Sequence, residues 1–496
     1  MAKQVLQDLI ITTQIKRLLN KVYGLAPGDD SILKRAIDFY HHAPEISAKR
    51  LELENHIIEQ QSKLAVAETN KVKNRENAVE HGKRQLEEFE QEVSAARFDR
   101  HRHFLEVVRE IIALSEGETF EETIRKSSML LGTIQLSSPI EGSKVALINE
   151  KHKPLYKAIL CLRLLDELLM DNQLNDQYIQ SYLNDIPPAQ YQNFININKE
   201  AYGYFTDQVK VAIVTAAIIQ DIGNFHPDAR ELLCGADGKA DPFRTLDIEQ
   251  RKSLLQISYR ETVHYLNEGL GTLNYIGNSK DDRERFIKDE KAKLTFIKTL
   301  LKRSVNPQQS IGNLLKVPQI YTSIVLSTKD SYNYKVLPKV FNVLNTNAQR
   351  GACHQRVVDS FYKVVGMFPQ GYGVTYMPTA SDGNYIDSYE YAVVCSLYPE
   401  HPEAPICRPA TRGLTFISHG QNTVIEKSSN LHFTDTAKRL ARLSKARLLE
   451  ILEVIASNYE ERKELDVLPR CWYPNDYFSI KNNQKLWNRS VYEQER

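Results

Sequence analysis

From Ile46 to Leu114 the chain has no proline and one glycine, Gly82, and is dense in Glu, Lys, Arg and Gln. A stretch with so few chain breakers is forced towards helix. Leu51, Ile58, Ala65, Val72, Val79, Leu86 and Val93 recur every seven residues and make one apolar seam. Three positions further on stand Glu54, Gln61, Glu68, Arg75, Gly82, Phe89 and Ala96, a seam that is apolar only near its end. A two-stranded coiled coil wants both seams. The pattern predicts a long helical, coiled-coil-like arm over 46–131. It would act as a spacer or oligomerisation element, in a homodimer or packed against another part of the chain. Asp99-Arg100-His101-Arg102-His103 continues the arm and reads as a solvated face.

A chain of 496 residues is longer than one core usually spans, so two or three domains are expected. Hydrophobic residues at 42% and charged residues at 26% describe an ordinary globular protein. The 64 basic and 63 acidic residues nearly cancel, which argues against a general nucleic-acid or anionic-membrane binder. No apolar run approaches the roughly 20 residues that span a bilayer. The start, MAKQVLQDLIITTQIKRLL, is amphipathic and has no signal-peptide core, and the six scattered cysteines form no CxxC pair. A cytoplasmic protein with reduced thiols is expected.

In chain order, residues 1–45 read as N-terminal helices. The first spans 4–22, and Asp29, Asp30 or Ser31 caps a second that ends near Tyr40, with His41-His42 in a solvated turn before Pro44. Ser115-Glu116-Gly117-Glu118 breaks the arm, and Thr119–Leu131 is a short helix. Gly132, Ser137, Ser138, Pro139 and Gly142 suggest a linker over 132–152. A helical domain is expected over 153–366, with LYKAILCLRLLDELLM from Leu155 as a core helix. After Gly366 the character changes. Short β-prone runs at Val374–Tyr376, Tyr391–Ser396, Ile406–Arg408, Leu414–Ile417 and Thr423–Ile425 predict a small antiparallel appendage over 367–433. A helix from Thr434 or Asp435 to about Tyr459 opens a C-terminal region, 434–496, whose irregular tail carries Trp472, Tyr473 and Trp487.

Function is concentrated between Val211 and Arg251. An apolar helix there runs into Gln220-Asp221-Ile222-Gly223-Asn224, a polar loop follows, and a new helix starts at Leu246. Two acidic or imidazole groups at the end of a buried helix would suit a metal, but an amide such as Gln220 is a poor ligand. The other candidate motifs are set aside. Ser31–Lys34 matches SxxK without companions, Gly371-Tyr372-Gly373 reads as a turn into a strand, and Asp237–Asp241 lacks the order of a calcium loop. Lys438, Arg439, Arg442, Lys445 and Arg447 read as a solvated helix face.

Three phrases from 205 to 435 appear in a telling order: AAIIQDIGN with LDIEQ (216–224 and 246–250), HQRVVDSFYKVVGMFPQGYGVTYM (354–377) and YPEHPEAPICRP (398–409). This order resembles the HD-GYP family, bacterial phosphodiesterases of the HD superfamily that cleave cyclic di-GMP. The resemblance implies a mainly α, HD-superfamily-like helical domain with a small C-terminal antiparallel β appendage. It covers a little under half the chain and leaves out the arm.

The family's ligands do not carry over. Of its HD pair only Asp221 remains, with Gln220 in place of the histidine, and the lysine of HDIGK is Asn224. The family's next metal histidine falls at about Ile257, and no HHE or GYP occurs between 257 and 330. The late aspartate position falls near Ser327 or Thr328, with Asp330 out of register. One vestigial carboxylate cannot hold a catalytic ion. His226 and Asp228 stand nearby as replacement ligands, but a loop histidine is more often structural. The expectation is therefore a catalytically inactive HD-GYP-like scaffold or signalling adaptor with no cofactor, no metal and no catalytic residues, acting on protein partners. Two alternatives remain. One is a non-hydrolysing cyclic dinucleotide effector that binds phosphates through Arg244, Arg251 and Arg260. The other is a metal-dependent phosphodiesterase with a rearranged site using Asp221 and His226.

Overall fold

A computed structural model describes residues 8–66, 72–380, 382–410, 421–455 and 468–488. The chain is mainly helical, with one small antiparallel sheet near its C-terminus. Among the described residues no helix is long and apolar enough to cross a membrane. The chain divides into two compact units. The first comprises residues 1–19, 109–218 and 296–496, and the second residues 20–108 and 219–295.

The second unit holds most of the arm. Where one helix is expected over 46–114, two are present: α2 (Ile32–Ala65) and α3 (Val72–Ser115). Arg35 pairs with Asp99, Arg50 pairs with Glu90, and Gly82 faces Ile57. These partners run in opposite directions, so α2 and α3 form an antiparallel hairpin. The heptad seam is split by the reversal. Val79 is buried, but Leu51 and Ile58 on α2 remain more than half exposed.

Ser31 caps α2 through the Lys34 backbone N–H, and the helix then runs straight through Pro44. The missing hydrogen bond at the proline is outweighed because Ile32, Leu33, Ala36, Phe39 and Tyr40 bury the preceding turns. His41 and His42 are exposed as expected, but on a helix rather than in a turn. The 99–103 segment is not wholly a wet face either. Arg100 donates to the Gly269 carbonyl at 2.7 Å and lies over the Phe39 ring, and burial pushes the His101 imidazole down to about 4.

The first unit carries α1 (Ile10–Tyr23) up to Leu19, then α4 (Phe120–Ser137), α5 (Val145–Met170), α6 (Gln177–Tyr182), α7 (Phe194–Ile197), α8 (Lys199–Phe205) and α9 (Val211–Ile219) up to Ile218. The expected linker at 132–152 shrinks to 138–144, because α4 continues through Gly132 and α5 starts at Val145. Gly132 is there for packing. A Cβ on it would come within 2.3 Å of the Trp487 ring. Helix α5 is buried on nearly every side from Leu155 to Leu169, as its apolar sequence predicts.

The β runs form a five-stranded antiparallel sheet of order β4-β3-β2-β1-β5: β1 Gly373–Tyr376, β2 Glu390–Val394, β3 Ile406–Pro409, β4 Thr423–Val424 and β5 Cys471–Trp472. The expected run Leu414–Ile417 lies outside the described residues. The tail is not simply irregular, since β5 adds it to the sheet edge beside β1. Gly373 permits that pairing, because a Cβ on it would meet the Trp472 carbonyl at 2.3 Å. The expected single helix from Thr434 is two, α16 (Thr434–Leu440) and α17 (Lys445–Ile455), and its end near Tyr459 lies outside the described residues.

Candidate functional site

In the second unit, the motif at 220–224 leads into a 3₁₀ turn, Ile222–Phe225, which lies against α11 (Ile248–His264). Gly223 is the reason the turn can approach. A Cβ there would stand 2.0 Å from the Ser258 carbonyl oxygen. The Gly223 N–H donates to Thr262 Oγ1 at 3.1 Å, and the Thr262 hydroxyl donates in turn to the Ile219 carbonyl. Gly223 therefore seals a turn against a helix backbone.

Below this contact, one carboxylate gathers the polar groups. Glu261, nearly buried, receives Arg260 Nε at 2.6 Å, His264 Nδ1 at 3.2 Å and, more distantly, His226 Nε2 at 3.7 Å. Burial pushes the Glu261 carboxyl up, but Arg260, His264 and His226 together hold it below the usual range. His226 is the N-cap of α10 (Pro227–Cys234), and its Nδ1 accepts the Asp228 backbone N–H at 3.2 Å. That bond places the ring proton on Nε2, facing Glu261. The Nδ1 lone pair of His226 is thus committed to the backbone, while Nε2 stands 3.7 Å from Glu261, beyond hydrogen-bond distance. The Tyr40 ring lies edge-on to His226, and its hydroxyl donates to the Glu261 carbonyl at 3.0 Å. His264 differs: Glu261 orients its Nδ1, and its other nitrogen is on a side chain 42% exposed.

The three arginines read as phosphate binders do not form one cluster. Arg244 donates to the Leu232, Leu233 and Asp241 carbonyls and so caps the C-terminal end of α10. Arg260 is tied to Glu261 and Asp228. Arg251 is exposed on α11, nine residues from Arg260 and so about 180° around the helix. Asp221 and Gln220 are half-buried at the start of the turn, and both have partners of their own. Asp228 and Glu261 are carboxylates that face His226. Among the described residues no group of three or more His, Cys, Asp and Glu side chains has the arrangement of an ion site.

Sequence reasoning missed Glu261 and His264. Their signal was the (i, i+3) spacing in Arg260-Glu261-Thr262-Val263-His264, which puts acid and imidazole on one face.

It also missed a second cluster, wholly inside the first unit. Glu116, in the break after α3, accepts from Lys210 Nζ at 2.7 Å, Arg163 Nη2 at 2.8 Å and the Tyr202 hydroxyl at 2.7 Å. Arg163 also pairs with Asp166 at 3.0 Å, and the Tyr191 hydroxyl donates to Asp166 at 2.8 Å. Lys210 ends a π-helical turn, Thr206–Lys210, which feeds into α9. All four charges are buried and they cancel. Burial would push the Glu116 carboxyl up, but Lys210 and Arg163 outweigh it and hold the group at about 2. The same carboxylates overcome burial at Lys210 and keep its amine above the usual lysine range, so it is a poor base or nucleophile. A void of about 30 Å³ beside Lys210 and Tyr202 has room for one water, not a substrate. Arg163, Asp166 and Glu167 stand within a helix otherwise read as pure core, and that mismatch was the available signal.

Comparisons with protein-family models, with curated proteins and with solved structures find no match.

Proposed function

We propose that this chain is a catalytically inactive, HD-GYP-like scaffold or signalling adaptor that works through protein–protein contacts made by its second unit. The observation that carries the reading is the direction in which the side chains of that unit are spent. The motif residues turn inward: Gly223 seals a turn, Arg244 caps a helix, and His226 Nδ1 accepts a backbone N–H. The outward faces carry apolar groups instead. Ile248 and Leu255, seven apart on α11, are 84% and 62% exposed, and Arg251 shares their face. Leu51 and Ile58, also seven apart, are 57% and 58% exposed on α2. Apolar pairs at this spacing form a helical docking stripe, and covering each such side chain stabilises a complex by about 1.5–3 kcal/mol. The α2 stripe is the face offered to a second copy of the chain.

The test is sedimentation equilibrium of the wild type against Leu51→Glu/Ile58→Glu, with hydrolysis of cyclic di-GMP followed alongside. The reading expects self-association that the double variant abolishes, with no hydrolysis in either protein. Turnover of cyclic di-GMP that is lost in Asp221→Ala or His264→Asn would replace it with a rearranged enzyme.

A further inference from the structure

The first unit contains an open cleft of about 400 Å³ that belongs to neither cluster described above. Four parts of the chain converge on it: the loop after α5, the C-terminal end of α12 (Lys280–Val305), the start of α13 (Asn313–Val325) and the first turn of α15 (Gln355–Val365). Its size falls within the range of small-molecule sites.

The charges in this cleft are unbalanced. Arg303 and Arg356 both line it, and neither has a hydrogen bond or ion pair with another described residue. The one carboxylate in the wall, Asp176, caps α6 with its Oδ1, which accepts the Tyr178 and Ile179 N–H groups. The wall therefore carries two guanidiniums against a single carboxylate. His354, the N-cap residue of α15, makes no side-chain cap bond and adds another ring to the same wall. Uncommitted amides, Asn175 and Gln309 among them, supply neutral donors and acceptors, while Leu168 and Leu314 give an apolar floor.

The wall is also held in place. Asn313 donates to the Gln308 and Ser310 carbonyls at 2.8 and 3.0 Å and accepts the His354 backbone N–H at 2.8 Å. This one side chain ties the 308–310 loop to the start of α15, which carries Arg356. Paired planar forks of N–H donors, left unpaired in a preformed polar cleft, match the oxygens of a phosphoryl group.

We infer that this cleft binds a small organic phosphate, with Arg303 and Arg356 holding the phosphoryl oxygens and the amide-and-leucine remainder taking the polar, partly apolar body. The site belongs to the first unit, whereas Arg244, Arg251 and Arg260 belong to the second, and it does not depend on the scaffold reading.

The test is isothermal titration of the full chain with pyrophosphate, AMP and adenosine, using wild type, Arg303→Ala, Arg356→Ala, the double variant and Arg356→Lys. Arg251→Ala serves as a control outside the cleft. Because neither guanidinium has a hydrogen bond or ion pair within the fold and both residues are exposed, thermal melts of the variants should match wild type and confirm that they are folded. The expected result is binding of AMP and pyrophosphate, with adenosine at least roughly tenfold weaker. Each alanine should weaken AMP by about tenfold, Arg356→Lys by less, and Arg251→Ala not at all. No binding of either phosphate at millimolar concentration would overturn the proposal. So would binding that survives the double variant, or equal binding of adenosine.

Discussion

Two carboxylates in this molecule collect cations, and they do so to different ends. Glu116 is sealed inside the first unit with Lys210, Arg163 and Asp166, so that two positive and two negative groups cancel out of water. Glu261 sits at the edge of the second unit, and its closest partner, Arg260, is 63% exposed. Both arrangements would look like ionic sites in a list of distances. Burial separates them. In the interior, removing one charge strands the others at high cost, whereas at the surface water replaces the lost partner. The Glu116 network is thus a lock on the fold, and the Glu261 cluster is a lightly held polar seam beside a glycine contact.

The contrast can be broken most directly at Glu116. Substituting Glu116→Ala leaves Lys210 and Arg163 short of a buried counter-charge and should cost about 3–5 kcal/mol in urea unfolding. Acid should reveal the same network. Because the Glu116 carboxyl is depressed from 4.5 to about 2, its stabilisation is complete above pH 4.5 and drains away as pH falls towards 2. The wild-type stability profile should slope through that window, and the slope should be shallower in Glu116→Ala. Equal slopes would mean that the network contributes nothing.

Next in size is Gly223→Ala. The added methyl has nowhere to go but against the Ser258 carbonyl, so a loss of about 1–3 kcal/mol is expected in the same unfolding assay. A neutral result would show that the turn slides off α11 at no cost.

Glu167 on α5 supplies a pH effect of opposite sign. Burial and then Asp171 raise its carboxyl to about 7, and Lys363 offsets this only in part. The folded state therefore holds a proton that the unfolded state gives up near 4.5. Stability from this group is present below pH 4.5 and is lost as pH rises to 7, by about 1–2 kcal/mol after allowing for solvent. Glu167→Gln should flatten that part of the profile. The smallest effect belongs to the surface seam: Arg260→Ala should change stability by no more than about 0.5 kcal/mol.

These contrasts also mark how far the sequence could be read. Helix content, the core character of Leu155–Met170 and the short strands after Gly366 all follow from local pattern, because periodicity and turn residues act within a few residues. What local pattern could not show is the return of the chain on itself. The reversal between α2 and α3, the packing role of Gly132 against Trp487 and the addition of Cys471–Trp472 to the sheet all depend on partners distant in sequence. Pro44 misled for the same reason, since burial on the N-terminal side of α2 outweighs one lost bond. At the site, the sequence located the turn at 220–224 but did not show Glu261 beside it. Glu261 lies forty residues beyond Asp221, and only the packing of the turn on α11 brings it to His226.

The central claim is that the 220–264 region holds the fold rather than a catalytic ion. Elemental analysis of the purified full chain by inductively coupled plasma mass spectrometry tests it most directly. The account predicts only trace manganese, iron and zinc, unchanged in Asp221→Ala. A near-stoichiometric transition metal that disappears with Asp221, His226 or Glu261 would contradict it.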